Sequence, residues 1–429
     1  MNTPASASPP AGIDTTSSPQ HSQSADRKGH WLNSERLWLY PCVALACYVL
    51  AVLSYLVRVN WLHTGEQLGP IALDYVAFWS GSHLALQGHA IDAYDLVKIT
   101  AVETAALARP VGILPWLYPP TYLLLVLPLA LVSYRLSATI FLGLTLLGFT
   151  GVCYATLKSR RVALIAFAAP CSALVLAAGQ NGLLTATLIG SGLVLLRRHP
   201  VLSGISFGLL CVKPHLAVLI PLALLCSRSW RALAATALTA LAMLAASIWA
   251  FGTATLMAWV HNMGLISGYV DSGQAALARI PTFFAMARML HVPTTLAYAL
   301  QTVAACAAAL AVVYAWKREC AFELRAATLV CASLLVSPYL FDYDLTWYGI
   351  VIVWFARYAM ANGFNRGERE WLVLLWVAPF AGIAVITRLH FQFLPLITVA
   401  SLAIVLRRIA AERRNAAHSA TLLATQEMP

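Results

Sequence analysis

VLSGISFGLLCVKPHLAVLIPLALLC, residues 201–226, carries no charge except at Lys213, which is followed by Pro214. A membrane span needs about 20 apolar residues, so the stretch is long enough to cross once. Proline breaks a helix and frees backbone groups, and a lone cation in apolar sequence must either snorkel to the interface or line a cavity. Two readings follow: a full span, or two half-length helices meeting at Lys213-Pro214. Non-helical backbone at depth is acceptable where it lines a cavity, which favours the second.

The rest of the chain supplies the setting. Of 429 residues, 60% are hydrophobic and only 10% charged, far below the roughly 25% charged of a soluble protein. An all-α polytopic integral membrane protein is expected. The net charge of +11 suggests nucleic acid only until its distribution is read, because Lys and Arg fall in short clusters between apolar runs. No nucleic-acid partner is expected. The nine cysteines form no CxxC pair and lie in or beside apolar runs, so neither a disulfide framework nor a metal site is indicated. Residues 1–29 are rich in Ser, Pro, Thr and Ala without a signal-peptide pattern and read as a disordered tail.

Apolar runs at 38–57, 136–157, 161–178, 181–196, 230–250, 293–316, 321–337, 345–360, 371–387 and 391–407 read as spans. With 118–134 and 201–226 this gives about ten to thirteen membrane segments. Basic clusters at 27–28, 158–161, 197–198, 228–231, 317–318, 357–369 and 407–414 are assigned to the cytoplasm by the positive-inside rule. The expected organisation is a cytoplasmic tail at 1–36, a membrane domain at 37–408 and a second cytoplasmic tail at 409–429. The external face then holds two loops, 58–117 and 251–292, and the turns near 179–181, Lys213, 338–344 and 388–391. On this topology 118–157 crosses a net odd number of times.

Acid is concentrated on the external face. No Asp or Glu occurs between Glu103 and Asp271, leaving Glu66, Asp74, Asp92, Asp95, Glu103, Asp271, Asp342 and Asp344 outside. Glu66 and Glu103 read as ordinary solvated loop acids. Asp74 lies in Pro70–Asp95, PIALDYVAFWSGSHLALQGHAIDAYD, just beyond the first span and amid Tyr75, Phe78 and Trp79. It reads either as the cap of an interfacial helix or as a functional carboxylate.

Four further external elements stand out. Gly179-Gln180-Asn181-Gly182 is strong turn chemistry, although Gln180 places an amide at a buried helix end where it ordinarily has a partner. Lys213-Pro214-His215 is the break described above. Ser337-Pro338-Tyr339-Leu340-Phe341-Asp342-Tyr343-Asp344 closes a span with aromatics and two acids. Tyr118-Pro119-Pro120 opens a segment as prolines do in a first helical turn.

In this order, with Gly88 and Tyr94-Asp95, these motifs resemble glycosyltransferase family 87 over about residues 40–360. That family comprises membrane enzymes of GT-C architecture that use polyprenyl-phosphate sugars, typically polyprenyl-phosphate mannose. The resemblance implies a GT-C-like bundle whose external first loop carries short interfacial helices. It implies inverting transfer of a hexose, typically mannose, from a polyprenyl-phosphate donor to the hydroxyl of a glycan or glycolipid acceptor. The site would be on the external, periplasmic face of a multi-pass cell-membrane protein, and no cofactor would be needed. Asp74 matches the family's first-loop acid and would be the catalytic base. Lys213, Gln180, Asn181, Tyr118, Tyr343 and Asp344 would bind the donor, with Lys213 on its phosphate; Trp79, Asp95 and Asp342 would contact sugar or acceptor. Asp342 and Asp344 would alternatively position Lys213. Family members often carry histidine before the Tyr-Asp pair, where this chain has Tyr339 and Phe341; His83, His89 and His390 are the alternatives.

Two other classes compete. A transporter or lipid-linked-sugar flippase is expected to show matching interrupted segments in its two halves, and Lys213-Pro214 has no evident counterpart. A polysaccharide ligase or polymerase would carry its large external loop late in the chain, whereas here it is early.

Overall fold

A computed structural model describes residues 30–60, 71–110, 112, 114–271 and 276–426; side chains are described as far as 414, except at 60 and in part of 265–270. Most of the tail expected at 1–36 and the loop acid Glu66 lie outside the described residues. The chain runs through α1 (Arg36–Asn60), α2 (Tyr75–Leu86), α3 (Leu96–Leu107), α4 (Pro120–Val126), α5 (Tyr134–Leu157) and α6 (Arg160–Phe167). Then come α7 (Pro170–Ala178), α8 (Gly182–Leu195), α9 (Pro200–Gly208), α10 (Pro214–Ala217), α11 (Leu219–Cys226) and α12 (Trp230–Asp271). The remainder is α13 (Phe283–Met289), α14 (Thr294–Trp316), α15 (Phe322–Ser333), α16 (Trp347–Asn362), α17 (Glu368–Leu389) and α18 (Leu394–Gln426). Among the described residues there is no strand.

This is an all-α polytopic membrane protein. Six helices, α1, α5, α12, α14, α17 and α18, are long and apolar enough to cross a membrane, and α6–α7, bent by 41°, makes a seventh if counted as one span. The other apolar runs form shorter helices, fewer crossings by length than the sequence suggests, because proline and glycine interrupt them. Pro120, Pro170, Pro200 and Pro214 each open a helix, where the missing N–H leaves no hydrogen bond unmade.

Side-chain contacts sort the turns into two ends. Trp31 donates to Glu370, Arg408 binds Glu368, Arg357 pairs with Glu323 and donates to the Thr156 carbonyl. The Arg197 guanidinium lies over the Phe322 ring, and Glu412 accepts from the Ala321 N–H. The basic turns are thereby gathered at one end. At the opposite end Tyr118 meets Gln180, Lys213 meets Asp344, Arg279 meets Asp342, and Gln392 donates to the Ala278 carbonyl.

The 201–226 stretch is a helical hairpin between these ends. A Cβ on Gly204 would meet Ala232 and Thr236, and one on Gly208 would meet Thr236 and Thr239, so α9 and α12 run parallel from the basic end. The chain reaches Lys213 through a 3-10 turn, Leu209–Val212, then returns through α10 and α11 to the start of α12. Residues 118–131 never leave the site end: Tyr118 contacts Gln180, while Trp79 donates to the Val132 carbonyl and Tyr134 to that of Ala72. Only α5 then crosses, so 118–157 makes one net passage.

Two boundaries differ from the sequence expectation. The run ending at 250 is followed, across a kink at Gly252 (φ 80°, ψ 160°), by a second helical stretch to Asp271; with α13, most of the loop expected at 251–292 is helix. Residues 409–426, read as a tail, extend α18, as their Ala and Arg content permits.

Candidate active site

The site begins where α7 ends. The last carbonyls of a helix lack intrahelical partners, and here the Ala72 and Asp74 N–H groups donate to those of Ala177 and Ala178 at 2.8 and 2.9 Å. Gly179 ends α7 in the left-handed conformation (φ 80°), and a Cβ there would sit 2.6 Å from the Ala72 carbonyl oxygen. The 71–74 turn is thus laid directly on the Gly-Gln-Asn turn. Gln180 joins them: its Nε2 donates to Asp74 Oδ2 at 3.0 Å, and its Oε1 accepts from the Tyr118 hydroxyl at 3.0 Å.

Asp74 precedes α2 yet makes no side-chain cap to it, which removes the bland reading of this residue as a capping Asp. Burial pushes its pKa above the ordinary carboxylate value; the Gln180 hydrogen bond and the Arg279 charge oppose that shift, and the Asp342 charge adds to it. Tyr75, beside it, is fully buried and shares a 2.5 Å hydrogen bond with Ser137. The start of α2 is thereby anchored to α5.

The floor is ionic. Lys213 Nζ lies 2.6 Å from Asp344 Oδ1, 3.3 Å from Asn181 Oδ1 and 4.5 Å from the centre of the Tyr343 ring. Only 4% of the Lys213 side chain is exposed and none of Asp344. Asp344 Oδ2 accepts the Phe341 N–H at 3.2 Å, closing the 3-10 turn Asp342–Thr346. That turn presses on α8 so closely that a Cβ on Gly182 would lie 2.1 Å from the Tyr343 carbonyl oxygen. Removing one member of such a buried pair leaves the other uncompensated, at a cost of about 3–5 kcal/mol.

A second pair lies above it. Arg279 Nε and Nη2 reach Asp342 Oδ2 and Oδ1 at 2.8 and 3.1 Å, with 37% of the arginine side chain exposed and 1% of the aspartate. Arg279 ends a 3-10 turn, Leu277–Arg279, held by the buried Gln392 through the Ala278 carbonyl at 3.0 Å.

Asp74, Tyr118, Gln180, Asn181, Lys213, Asp342, Tyr343 and Asp344 therefore converge as a group. Trp79 and Asp95 do not join it. Trp79 stacks on His83 and donates to the Val132 carbonyl at 3.0 Å, and Asp95 caps α3 through the Val97 and Lys98 N–H groups. His83 bonds Gln87, His89 lies near Asp92, and His390 ends α17; among the described residues none has a hydrogen bond, ion pair or ring contact to the cluster. Tyr339, at the place where the resemblance leads one to expect histidine, bonds the Tyr298 hydroxyl, which donates to Asp271 at 2.9 Å.

Glu103 corrects the sequence reading. It is fully buried rather than solvated, and neither carboxyl oxygen has a partner among the described residues. Arg279 is the residue that reading missed. The signal available was an arginine on the acid-rich side that the sequence assigns to the exterior, in a stretch treated only as a loop.

Among the described residues no three His, Cys, Asp or Glu side chains are grouped to hold a metal ion. Fold and site together describe a multi-pass membrane protein with a carboxylate, one buried ion pair and one partly open ion pair at one end. The family model of glycosyltransferase family 87 matches residues 116–338, more than half of the chain, and the chain belongs to that family. It is a glycosyltransferase. No curated protein and no solved structure matches it.

Proposed function

We propose that the protein moves a hexose, mannose in the first instance, from a polyprenyl-phosphate donor to the hydroxyl of a glycan or glycolipid acceptor, with inversion, in a GT-C-type membrane domain. The acceptor oxygen attacks the anomeric carbon as polyprenyl phosphate departs, and Asp74 takes the hydroxyl proton. The observation that carries this reading is the carboxylate itself: Asp74 is placed by backbone bonds to α7, fixed on one oxygen by Gln180, and not used as a cap. Its Oδ1 has no protein hydrogen bond among the described residues, which leaves it available to an acceptor hydroxyl within about 3 Å.

Burial makes Asp74 a stronger base than a solvated aspartate. The Lys213–Asp344 pair holds the hairpin tip against the 342–346 turn, and the Arg279–Asp342 pair borders the carboxylate. A lipid-phosphate donor accounts for the membrane setting, because its tail stays in the bilayer while its sugar reaches the end of the bundle. The cytoplasmic assignment of the basic end puts the reaction on the external face.

The test is sugar transfer from polyprenyl-phosphate mannose in membranes bearing wild-type protein or Asp74→Asn. Transfer that depends on Asp74 is expected. Absence of mannose transfer by the wild type, with transfer from another polyprenyl-phosphate hexose, would replace the sugar and keep the mechanism.

A further inference from the structure

Lys213 is the cation that the sequence offers for the donor phosphate, but its ammonium is buried, neutralised by Asp344 and covered by the Tyr343 ring. To meet a phosphate it would have to abandon a 2.6 Å pair. Arg279 differs on each point. Over a third of its side chain is open, and it spends only Nε and Nη2 on Asp342, so Nη1 remains free of protein partners among the described residues. Its charge also acts on Asp74, the proposed base.

Asp342 holds the guanidinium plane from one edge, and Gln392 holds the backbone turn beneath it. A guanidinium fixed along one edge by a carboxylate presents its other N–H groups in a fork suited to phosphate oxygens.

We infer that Arg279, oriented by Asp342, is the residue that binds the phosphate of the lipid donor, while Lys213 and Asp344 form a closed internal pair. This rests on the polyprenyl-phosphate reading given above. As the sugar–phosphate bond breaks, the departing phosphate oxygen gains the electron pair and the negative charge. Arg279 meets that charge with N–H donors already in place.

The experiment compares binding of a short-chain polyprenyl phosphate with that of the uncharged polyprenol of equal length, using full-length protein in nanodiscs. Five forms are measured: wild type, R279Q, R279K, R279Q/D342N and K213M/D344L. Both double variants avoid leaving a buried carboxylate without its cation. Wild type is expected to prefer the phosphate. R279Q and R279Q/D342N should lose about tenfold to a hundredfold of that preference, the range for hydrogen bonds to a charged group, and Arg279→Lys should recover part of it. K213M/D344L should retain the preference.

A wild type that prefers the phosphate, with an R279Q/D342N that prefers it equally, overturns the assignment of Arg279. So does loss of the preference in K213M/D344L alone. A wild type that does not distinguish the two lipids overturns the polyprenyl-phosphate reading, and this inference with it.

Discussion

An aspartate at the start of a helix ordinarily turns back to accept the free N–H groups of the first turn, and Asp95 does so for α3. Asp74 stands in the same position before α2 and leaves those groups alone. Its role therefore has to be sought in what it does accept, the Gln180 amide. Asp74→Asn keeps the shape but cannot take a proton, so transfer should fall by roughly 10²- to 10⁴-fold, the range for general acid–base catalysis, while donor binding is kept; single-turnover kinetics separates the two. Because burial raises the Asp74 pKa, wild-type activity should rise with pH through a midpoint above the ordinary aspartate value, where the base loses its proton. A midpoint at or below that value would contradict the role. Glu103 gives a second titration of a different kind. Burial pushes its pKa from 4.5 up to about 8, so the folded state holds a proton that the unfolded state releases above pH 4.5. Its contribution is complete below the unfolded value and is lost as pH rises toward the folded value. Glu103→Gln should therefore gain stability over wild type by about 1.4 kcal/mol per pH unit across that window, seen as a growing difference in Tm. A Tm difference independent of pH would show Glu103 to be ionised in the folded protein.

The helix breaks are the elements that build the site, and glycine marks the closest contact between them. Gly182→Ala would drive a methyl into the Tyr343 carbonyl, moving the 342–346 turn and with it both Asp342 and Asp344. The cost of such overpacking is about 1–3 kcal/mol, and transfer should fall although no charged group has changed. Gly143→Ala, inside α5 and meeting nothing within 4 Å, should leave transfer as it was and Tm unchanged or slightly raised, because Ala has the higher helix propensity; an equal loss in both variants would rule out the Tyr343 contact as the cause. These breaks are also what the sequence made legible. Lys213-Pro214 announces the hairpin because a charge and a helix breaker together are costly anywhere but a cavity, and Gly-Gln-Asn announces its turn by composition. Arg279 and Glu103 stayed hidden for a physical reason: the partner of the first lies 63 residues away, and the burial of the second is set by tertiary packing around α3. Neither leaves a local pattern.

At the scale of the whole molecule, the basic turns collect at one end of the bundle and the carboxylate with its ion pairs at the other. If the basic end is cytoplasmic, as the positive-inside rule requires, a cysteine at Val97, 79% exposed on α3, should react with an impermeant maleimide added to intact cells, given a background without the native cysteines. Labelling only after permeabilisation would reverse the orientation and place the reaction inside. The same long-range architecture constrains how the protein is made. Lys213 and Asp344 are 131 residues apart in the chain, so at about 5–20 residues per second of synthesis the hairpin waits roughly 7–26 s for its counter-charge. During that interval the newly inserted chain carries an unmatched lysine in an apolar segment, a state in which the insertion machinery or a membrane chaperone has reason to retain it. Nascent chains stalled before residue 344 should stay cross-linkable to that machinery through residues next to Lys213, and chains stalled far enough beyond Asp344 for it to emerge should be released. A site closed by partners 131 residues apart would thus be among the last parts of the bundle to be completed.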